Sequence, residues 1–430
     1  MEDIEIPKEI SDHMYQFINE IIDKCGPRMP CSIQEAKAAE IIKNELKNNC
    51  DKVEIEEFNC NPRAFLGFIR IDVILVLCAF VLILLFNLEF PLFIYQILSG
   101  MAFFLNLIAF IILWNEFFNY REFIDPLFKK KTSQNVIGTI NSIEEKQKII
   151  IFSAHHDSAL QFNLLTYLKI GYTIIIFLGL LIMFIWLIFT GIILIFLLGF
   201  SMIIVNNNAM QLFILILFLI AIPIFIALFF FVPFGEKANK VPGAVDNLSS
   251  VGIIVGLGRF LKTKNDFIPK NVEIKLISFG CEEAGLRGAY RYVDRHLEEL
   301  KKYDAECVNM DTIQSVKNVS IIDNEPSTRT RHSIQVVEKL RNAAKKIHLD
   351  LFQESLGGSS KLSKILGQIT GGTDATAFSK ANVKAASIVA MDLKKMLDFY
   401  HQPSDTIDKI ERGALERVLK LCLSYLKVSN

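Results

Sequence analysis

The chain has 430 residues, with 46 basic and 46 acidic side chains, so its net charge is zero and no global field favours nucleic acid. Hydrophobic residues make up 52%, Phe alone occurs 35 times, and mean hydropathy is +0.37. Such an excess excludes an ordinary soluble enzyme and points to lipid-facing surface.

The first ten residues, MEDIEIPKEI, are acidic and polar and lack the basic start and apolar core of a secretory signal. The opening segment is therefore expected in the cytoplasm. The eight cysteines (Cys25, Cys31, Cys50, Cys60, Cys78, Cys281, Cys307 and Cys422) form no CxxC pair or zinc-finger spacing. Reduced thiols are the expectation. Residues 33–46 have helical spacing, and VEIEEF over 53–58 alternates like a half-buried strand. Composition then shifts. Val73 to Leu88 and Pro91 to Trp114 are charge-free apolar runs separated only by the charge of Glu89, which predicts a helical hairpin. Its first arm is a little short of the ~20 residues a bilayer requires.

Polar character returns at Glu116, and the basic run Lys129 to Lys131 precedes two strands, NVIGTI over 135–140 and KIIIFS over 148–153. Between Lys169 and Glu236 there is no charged residue. Three helices fit that stretch, over 170–190, 191–205 and 211–234, and the middle one is short for a span. From Glu236 onward helix and strand patterns alternate: helix 247–262, strand 272–279, helix 334–347, strand 385–391 and a closing helix 407–428. That alternation predicts an α/β layer fold.

Five short segments hold the chemical side chains. Ala154-His155-His156-Asp157-Ser158 ends an apolar strand; residues two apart share a side, so Asp157 can back His155, as a metal-bound imidazole requires. Gly243-Ala244-Val245-Asp246-Asn247 is a glycine turn opening a helix. Cys281-Glu282-Glu283-Ala284-Gly285-Leu286 follows a strand, and adjacent glutamates there diverge, so that one can bind metal while the other faces an attacking water. Asn309-Met310-Asp311 and Tyr400-His401-Gln402-Pro403-Ser404-Asp405 complete the set. Each alone has an ordinary explanation as a cap, turn or surface charge. Their order after successive strands, however, converges on one rim of an α/β sheet.

In this order the segments resemble the M28 family of zinc aminopeptidases, with its pattern H-x-D, G-A-x-D-N, E-E-x-G-L-x-G, N-x-D and a late Y-H-x-P-x-D. Gly26-Pro27-Arg28 followed by Ser32 and a helix resembles that family's opening. The resemblance implies an α/β fold, a mixed β-sheet flanked by helices in an α/β/α sandwich, here with inserted transmembrane α-helices. It divides the chain into peptidase portions 1–63, 119–160 and 236–430, interrupted by apolar insertions 64–118 and 161–235. It also implies two Zn2+ ions per chain. Asp246 would bridge them, His155 and Asp311 would complete one ion's protein ligands, and Glu283 and His401 the other's. Glu282 would be the general base, and Asp157 would orient His155. The implied activity is removal of amino-terminal residues from peptides. Departures are few: Ala375 replaces the His of a family S-D-H loop at Thr373-Asp374-Ala375, which leaves Asp374 to be read as a helix cap, while His156 fills a variable slot and is expected only to pack or hydrogen-bond. His13, His296, His332 and His348 need no role.

Two other functions use the same residues: acyl transfer by a single-zinc glutaminyl-cyclase-like enzyme, and a catalytically dead peptidase-like scaffold. A transporter with a cytoplasmic domain is disfavoured because the apolar runs lack the buried charges that mark ion paths. Because the peptidase portions must assemble together, each insertion must cross an even number of times. The expectation is four crossings, with 191–205 re-entrant or interfacial. Arg63, Arg70, Arg121, Lys129, Lys130, Lys131, Lys169, Lys237 and Lys240 all flank the apolar runs on the peptidase side. The positive-inside rule then predicts a cytoplasmic catalytic domain on a prokaryotic plasma membrane, with peptide and lipid bilayer as partners and no nucleic acid.

Overall fold

The structure is a computed structural model, and it describes residues 4–199, 207–235, 239–352 and 371–429. In chain order the elements begin with α1 (Lys8–Cys25), α2 (Ile33–Lys47) and β1 (Lys52–Cys60). Two long helices follow, α3 (Ala64–Leu84) and α4 (Leu92–Glu116), then β2 (Lys131–Ile140) and β3 (Lys148–His155). A short α5 (Asn163–Leu168) leads to α6 (Gly171–Leu198) and α7 (Asn208–Phe229). The remainder runs α8 (Ser249–Thr263), β4 (Val272–Phe279), α9 (Arg287–Lys302), β5 (Glu306–Ile313) and β6 (Val319–Ile322). It closes with β7 (Asn324–Glu325), β8 (Thr330–Arg331), α10 (Ile334–Lys346), α11 (Ala375–Lys380), β9 (Lys384–Ala390), α12 (Met396–Phe399) and α13 (Ala414–Lys427).

These elements form two compact units. One comprises Met1–Pro62, Lys129–Gln161 and Gly235–Asn430; the other comprises Arg63–Phe128 and Phe162–Phe234. The first unit is a seven-stranded mixed sheet in the order β1-β2-β4-β3-β5-β9-β6. β4, β3, β5 and β9 run parallel; β2 and β6 flank them antiparallel, and β1 pairs antiparallel to β2 at the edge. The parallel strands are covered on both faces, which explains their near-continuous apolar sequences. In β3, Ile150, Phe152 and Ala154 join one core with helices α1, α2, α8, α10 and α13. Ile149 and Ile151 point the other way, into a core with Tyr292, Val293 and Phe378.

The second unit is helical. Five helices among the described residues are long and apolar enough to cross a membrane, by length and composition. The one at Ala244–Thr263 belongs to the first unit, where 94% of its apolar window is buried; it is a core helix. The other four are α3, α4, α6 and α7. Inside the unit, Phe80 stacks on Trp186 with centroids 3.8 Å apart, and Asn106 donates to Thr190 Oγ1 at 3.3 Å. Outward, large apolar side chains such as Phe104 (60%), Phe177 (62%) and Ile195 (71%) are exposed. In water such a surface would drive aggregation; against acyl chains it is satisfied.

Several boundaries differ from the sequence reading. α3 starts at Ala64, nine positions before Val73, and is long enough to span a bilayer. Its early turns tolerate Arg70 because the guanidinium reaches the carbonyls of Phe229 and Val232, at 3.1 and 2.6 Å, and lies over the Phe234 ring. Residues 170–198 are not two helices split at Gly191. α6 runs unbroken through it, and the glycine instead admits Phe103, whose ring would lie 3.2 Å from an added Cβ. The expected re-entrant segment 191–205 is therefore helical through Leu198, and positions 200–206 lie outside the described residues. Residues 119–128 pack with the apolar helices, Ile124 in their core. The closing helix begins at Ala414, because Gly413 at φ 90° interrupts it after a 3₁₀ turn over Ile407–Lys409.

Candidate metal centre

The carboxyl ends of β3, β4, β5 and β9 lie side by side, and the loops that leave them carry the chemical residues to one rim. His155 is the last residue of β3. The strand places Asp157 beyond it, with Oδ1 3.4 Å from His155 Nδ1. The same carboxylate accepts the backbone N–H groups of Glu282 and Glu283, at 3.1 and 3.0 Å. Asp157 therefore fixes both the imidazole and the loop that follows β4.

Asp246 sits in the irregular turn ahead of α8, where Gly243 adopts a left-handed conformation. An added Cβ at Gly243 would lie 2.7 Å from the Asp246 carbonyl and 2.8 Å from Ser158 Cβ, so only glycine fits. The Asp246–Asn247 peptide is cis. Two buried residues hold this turn. Asp405 accepts the N–H groups of Val245 at 2.7 Å and Asp246 at 3.2 Å. Arg28, fully buried, donates to the carbonyls of Gly26, Pro242, Gly243 and His156 at 2.7–3.1 Å. Asn247 donates to the Met310 carbonyl at 3.0 Å and accepts from Thr312 N at 3.1 Å, tying the turn to the end of β5. Thr312 Oγ1 in turn donates to Asp311 Oδ1 at 2.8 Å.

The ligand-capable atoms gather in three overlapping groups. His155, Asp246 and Asp311 each offer an atom within 4.8 Å of the others, and so do Asp246, Glu283 and His401, and His155, Glu282 and Glu283. Asp246 is common to the first two: Oδ1 lies 3.3 Å from His155 Nε2 and Oδ2 lies 3.4 Å from His401 Nε2. Glu283 Oε2 is 3.5 Å from His401 Nε2, and Glu282 Oε2 is 3.8 Å from His155 Nε2. His401 stacks on Tyr400 with ring centroids 3.9 Å apart.

These spacings fit zinc. They exceed the usual 2.7–3.2 Å of a hydrogen bond, whereas Zn–N and Zn–O bonds of about 2.0–2.1 Å at tetrahedral angles set ligand atoms roughly 3.3–3.4 Å apart. The donors are nitrogen and oxygen, as in catalytic zinc sites. Glu283 Oε1 is buried without a hydrogen-bond partner among the described residues. Electrostatics point the same way. Burial, assisted by Asp246, pushes Asp311 up to about 7. Burial likewise drives Glu282 and Glu283 well above the ordinary carboxylate range, and His155 offsets only part of it. Burial also opposes the Asp246 charge, yet His155 and His401 outweigh it and hold that carboxyl low. Such a crowd of buried carboxylates is stabilised by cations.

One reading changes. Asp374 precedes α11 but makes no side-chain cap; its carboxylate is wholly buried, with neither oxygen hydrogen-bonded among the described residues. Burial and the nearby carboxylates Asp157 and Asp311 push it well above its ordinary value, although His155 opposes them. His332, expected to need no role in the chemistry, makes structural hydrogen bonds. It is buried, with Nε2 3.1 Å from Glu325 Oε1 and Nδ1 2.8 Å from Ser379 Oγ, and Glu325 accepts from Thr373 N at 3.1 Å. His156 hydrogen-bonds as expected, its Nδ1 3.0 Å from Ser278 Oγ, and burial lowers it to about 4. Sequence reasoning left Arg28 and Asp405 without roles, although both stood in quoted motifs.

A family model, peptidase family M28, matches residues 232–426. The matched segment holds Asp246, Glu282, Glu283, Asp311 and His401, while His155 comes from the chain before it. Among curated proteins, aminopeptidase YwaD of Bacillus subtilis (strain 168) is 30% identical over 184 residues, 41% of this chain. The match spans 35% of that relative's length. The likeness in fold extends further than the sequence match. A zinc aminopeptidase of Bacillus subtilis, BSAP, superposes with a TM-score of 0.54 at 16% identity, covering 99% of this chain and 96% of that one. A glutaminyl cyclase of an Acidobacteriales bacterium superposes equally, at TM-score 0.54 and 14% identity, over 100% of this chain and 98% of its own.

Proposed function

We propose that the chain is a membrane-anchored, metal-dependent aminopeptidase that uses two zinc ions and a glutamate base. The observation that carries the reading is the position of Asp246, whose two carboxylate oxygens face different histidines, His155 and His401, at 3.3 and 3.4 Å. One carboxylate shared by two ligand groups is the arrangement a pair of metal ions requires.

In this reading His155, Asp311 and Asp246 hold one ion and Glu283, His401 and Asp246 the other. Metal bound there supplies Lewis acidity and a more acidic water. Glu282, beside the ligands and 9% exposed, takes a proton from the attacking water and later delivers it to the leaving amine. Asp157 keeps His155 in place through Nδ1 and, by accepting the N–H groups of Glu282 and Glu283, keeps base and ligand at a fixed separation. Arg28 and Asp405 brace the Asp246 turn. Peptide substrates with free amino termini follow from the likeness to aminopeptidases; the test is a panel of aminoacyl reporter substrates assayed with and without chelator. Chelator-sensitive release of the amino-terminal residue supports the reading, and chelator-insensitive release overturns it.

Glutaminyl cyclisation is the second reading, since a cyclase superposes as well as a peptidase does. Cyclases of that kind need one zinc, so metal stoichiometry separates the two. The peptidase portion is placed on the cytoplasmic side, with α3, α4, α6 and α7 as four crossings; the basic residues beside the apolar runs support that orientation.

A further inference from the structure

Cys31, Cys60 and Cys281 stand 29 and 221 positions apart in sequence, too irregularly spaced to form a motif. The fold nevertheless brings their sulfurs together. Cys31 Sγ lies 3.3 Å from Cys60 Sγ and 3.4 Å from Cys281 Sγ, and Cys60 Sγ lies 3.4 Å from Cys281 Sγ. All three thiols are free. Cys60 and Cys281 are buried with Phe58 and Ala284 in a small apolar cluster, and Cys31 packs on its edge, partly exposed.

We propose that these three cysteines form a thiolate site for a single thiophilic cation of the copper(I) or zinc type. Ordinary free cysteines behave as small hydrophobes and scatter through cores. Here three converge from separate elements: the turn before α2, the end of β1 and the loop after β4. The group holds three sulfurs and no histidine, aspartate or glutamate donor among the described residues, a set selective for soft ions. A cation about 2.3 Å from each sulfur sits roughly 1.2 Å above their plane, so the three atoms need little rearrangement to take one.

The backbone is braced for this geometry. Glu35, fully buried, accepts Cys31 N at 2.8 Å and Cys281 N at 3.0 Å, which locks two of the three ligands to one carboxylate. Cys281 directly precedes Glu282 and Glu283. An ion on the three sulfurs therefore pins that loop to β1 and to the start of α2. The donors differ in kind from the histidine and carboxylate set of the peptidase centre, so the two sites are filled and tested separately.

The test uses the full chain in detergent, reduced, stripped with chelator and titrated with cadmium(II) as the probe. Thiolate-to-cadmium charge-transfer absorption is expected to grow and saturate, to be lost in Cys31→Ser and Cys60→Ser, and to persist in Cys50→Ser. Absence of the band in the unaltered protein, or its full retention in both variants, overturns the site. A second measurement needs no variant. Cadmium should protect Cys31, Cys60 and Cys281 together from alkylation, read by mass spectrometry, and leave Cys50 reactive. Unprotected alkylation, or a disulfide joining two of the three in the protein as isolated under reducing conditions, contradicts it.

Discussion

At the scale of single residues the account separates holding metal from moving protons. Glu282→Gln removes the base and leaves every ligand in place, so metal content is expected to stay while kcat falls by at least roughly 10²-fold. Asp246→Ala removes the shared carboxylate and is expected to lose metal and activity together; metal analysis beside rate measurement distinguishes the two. Arg28 makes a different kind of prediction. It is fully buried, and Arg28→Leu would strand the carbonyls of Gly26, Pro242, Gly243 and His156. Lost acceptors on that scale cost on the order of 3 kcal/mol, expected as a fall in unfolding temperature of roughly 3–5 °C. The proposed ligands were legible in the sequence because His155, Asp246, Glu283, Asp311 and His401 stand in short motifs after strands. Arg28, Asp405 and Asp374 were not, because their parts depend on what burial leaves them to pair with. An arginine that spends its hydrogen bonds on backbone carbonyls has no partner residue type for a pattern to detect.

At the scale of elements, the loop between β4 and α9 is held by close backbone packing. A Cβ at Gly288 would lie 2.2 Å from the Gly280 carbonyl oxygen and 2.5 Å from Asn135 Oδ1. Gly288→Ala must therefore displace backbone next to the glutamates, at a cost of about 1–3 kcal/mol and with reduced turnover; both are read from melting and steady-state kinetics. Helices α1, α2 and α8 meet at Glu45, which pairs with Arg259 at 2.7 Å and His13 at 3.1 Å. The hydrogen bond to His13, then Arg259, outweighs burial and lowers Glu45 to about 2. A depressed carboxyl contributes stability above its unfolded value near 4.5, and that contribution is lost as pH falls toward 2. Glu45→Gln is expected to flatten this part of the acid stability profile; an unchanged profile would remove Glu45 from the account. Strands were the most legible elements, since β4 matches its alternation end to end. Helix ends were less so. Charge at Arg70 and Asp72 hid the start of α3, and Gly191, read as a break, serves close helix packing inside α6.

For the whole molecule, the sequence order places two apolar insertions inside one peptidase fold, and the topology follows from that connectivity. Single cysteines placed at Glu89 and Asn207 should label only from the face opposite the peptidase portion, and the carboxyl terminus should resist protease in right-side-out vesicles. Digestion there without lysis would reverse the orientation. A pair of metal ions on one shared carboxylate would be visible to anomalous diffraction at the zinc edge. Crystals grown with zinc are expected to show two peaks flanking Asp246, one beside His155 and Asp311 and one beside Glu283 and His401. A single peak in that cluster would favour the cyclase reading, and no peak there would contradict the account.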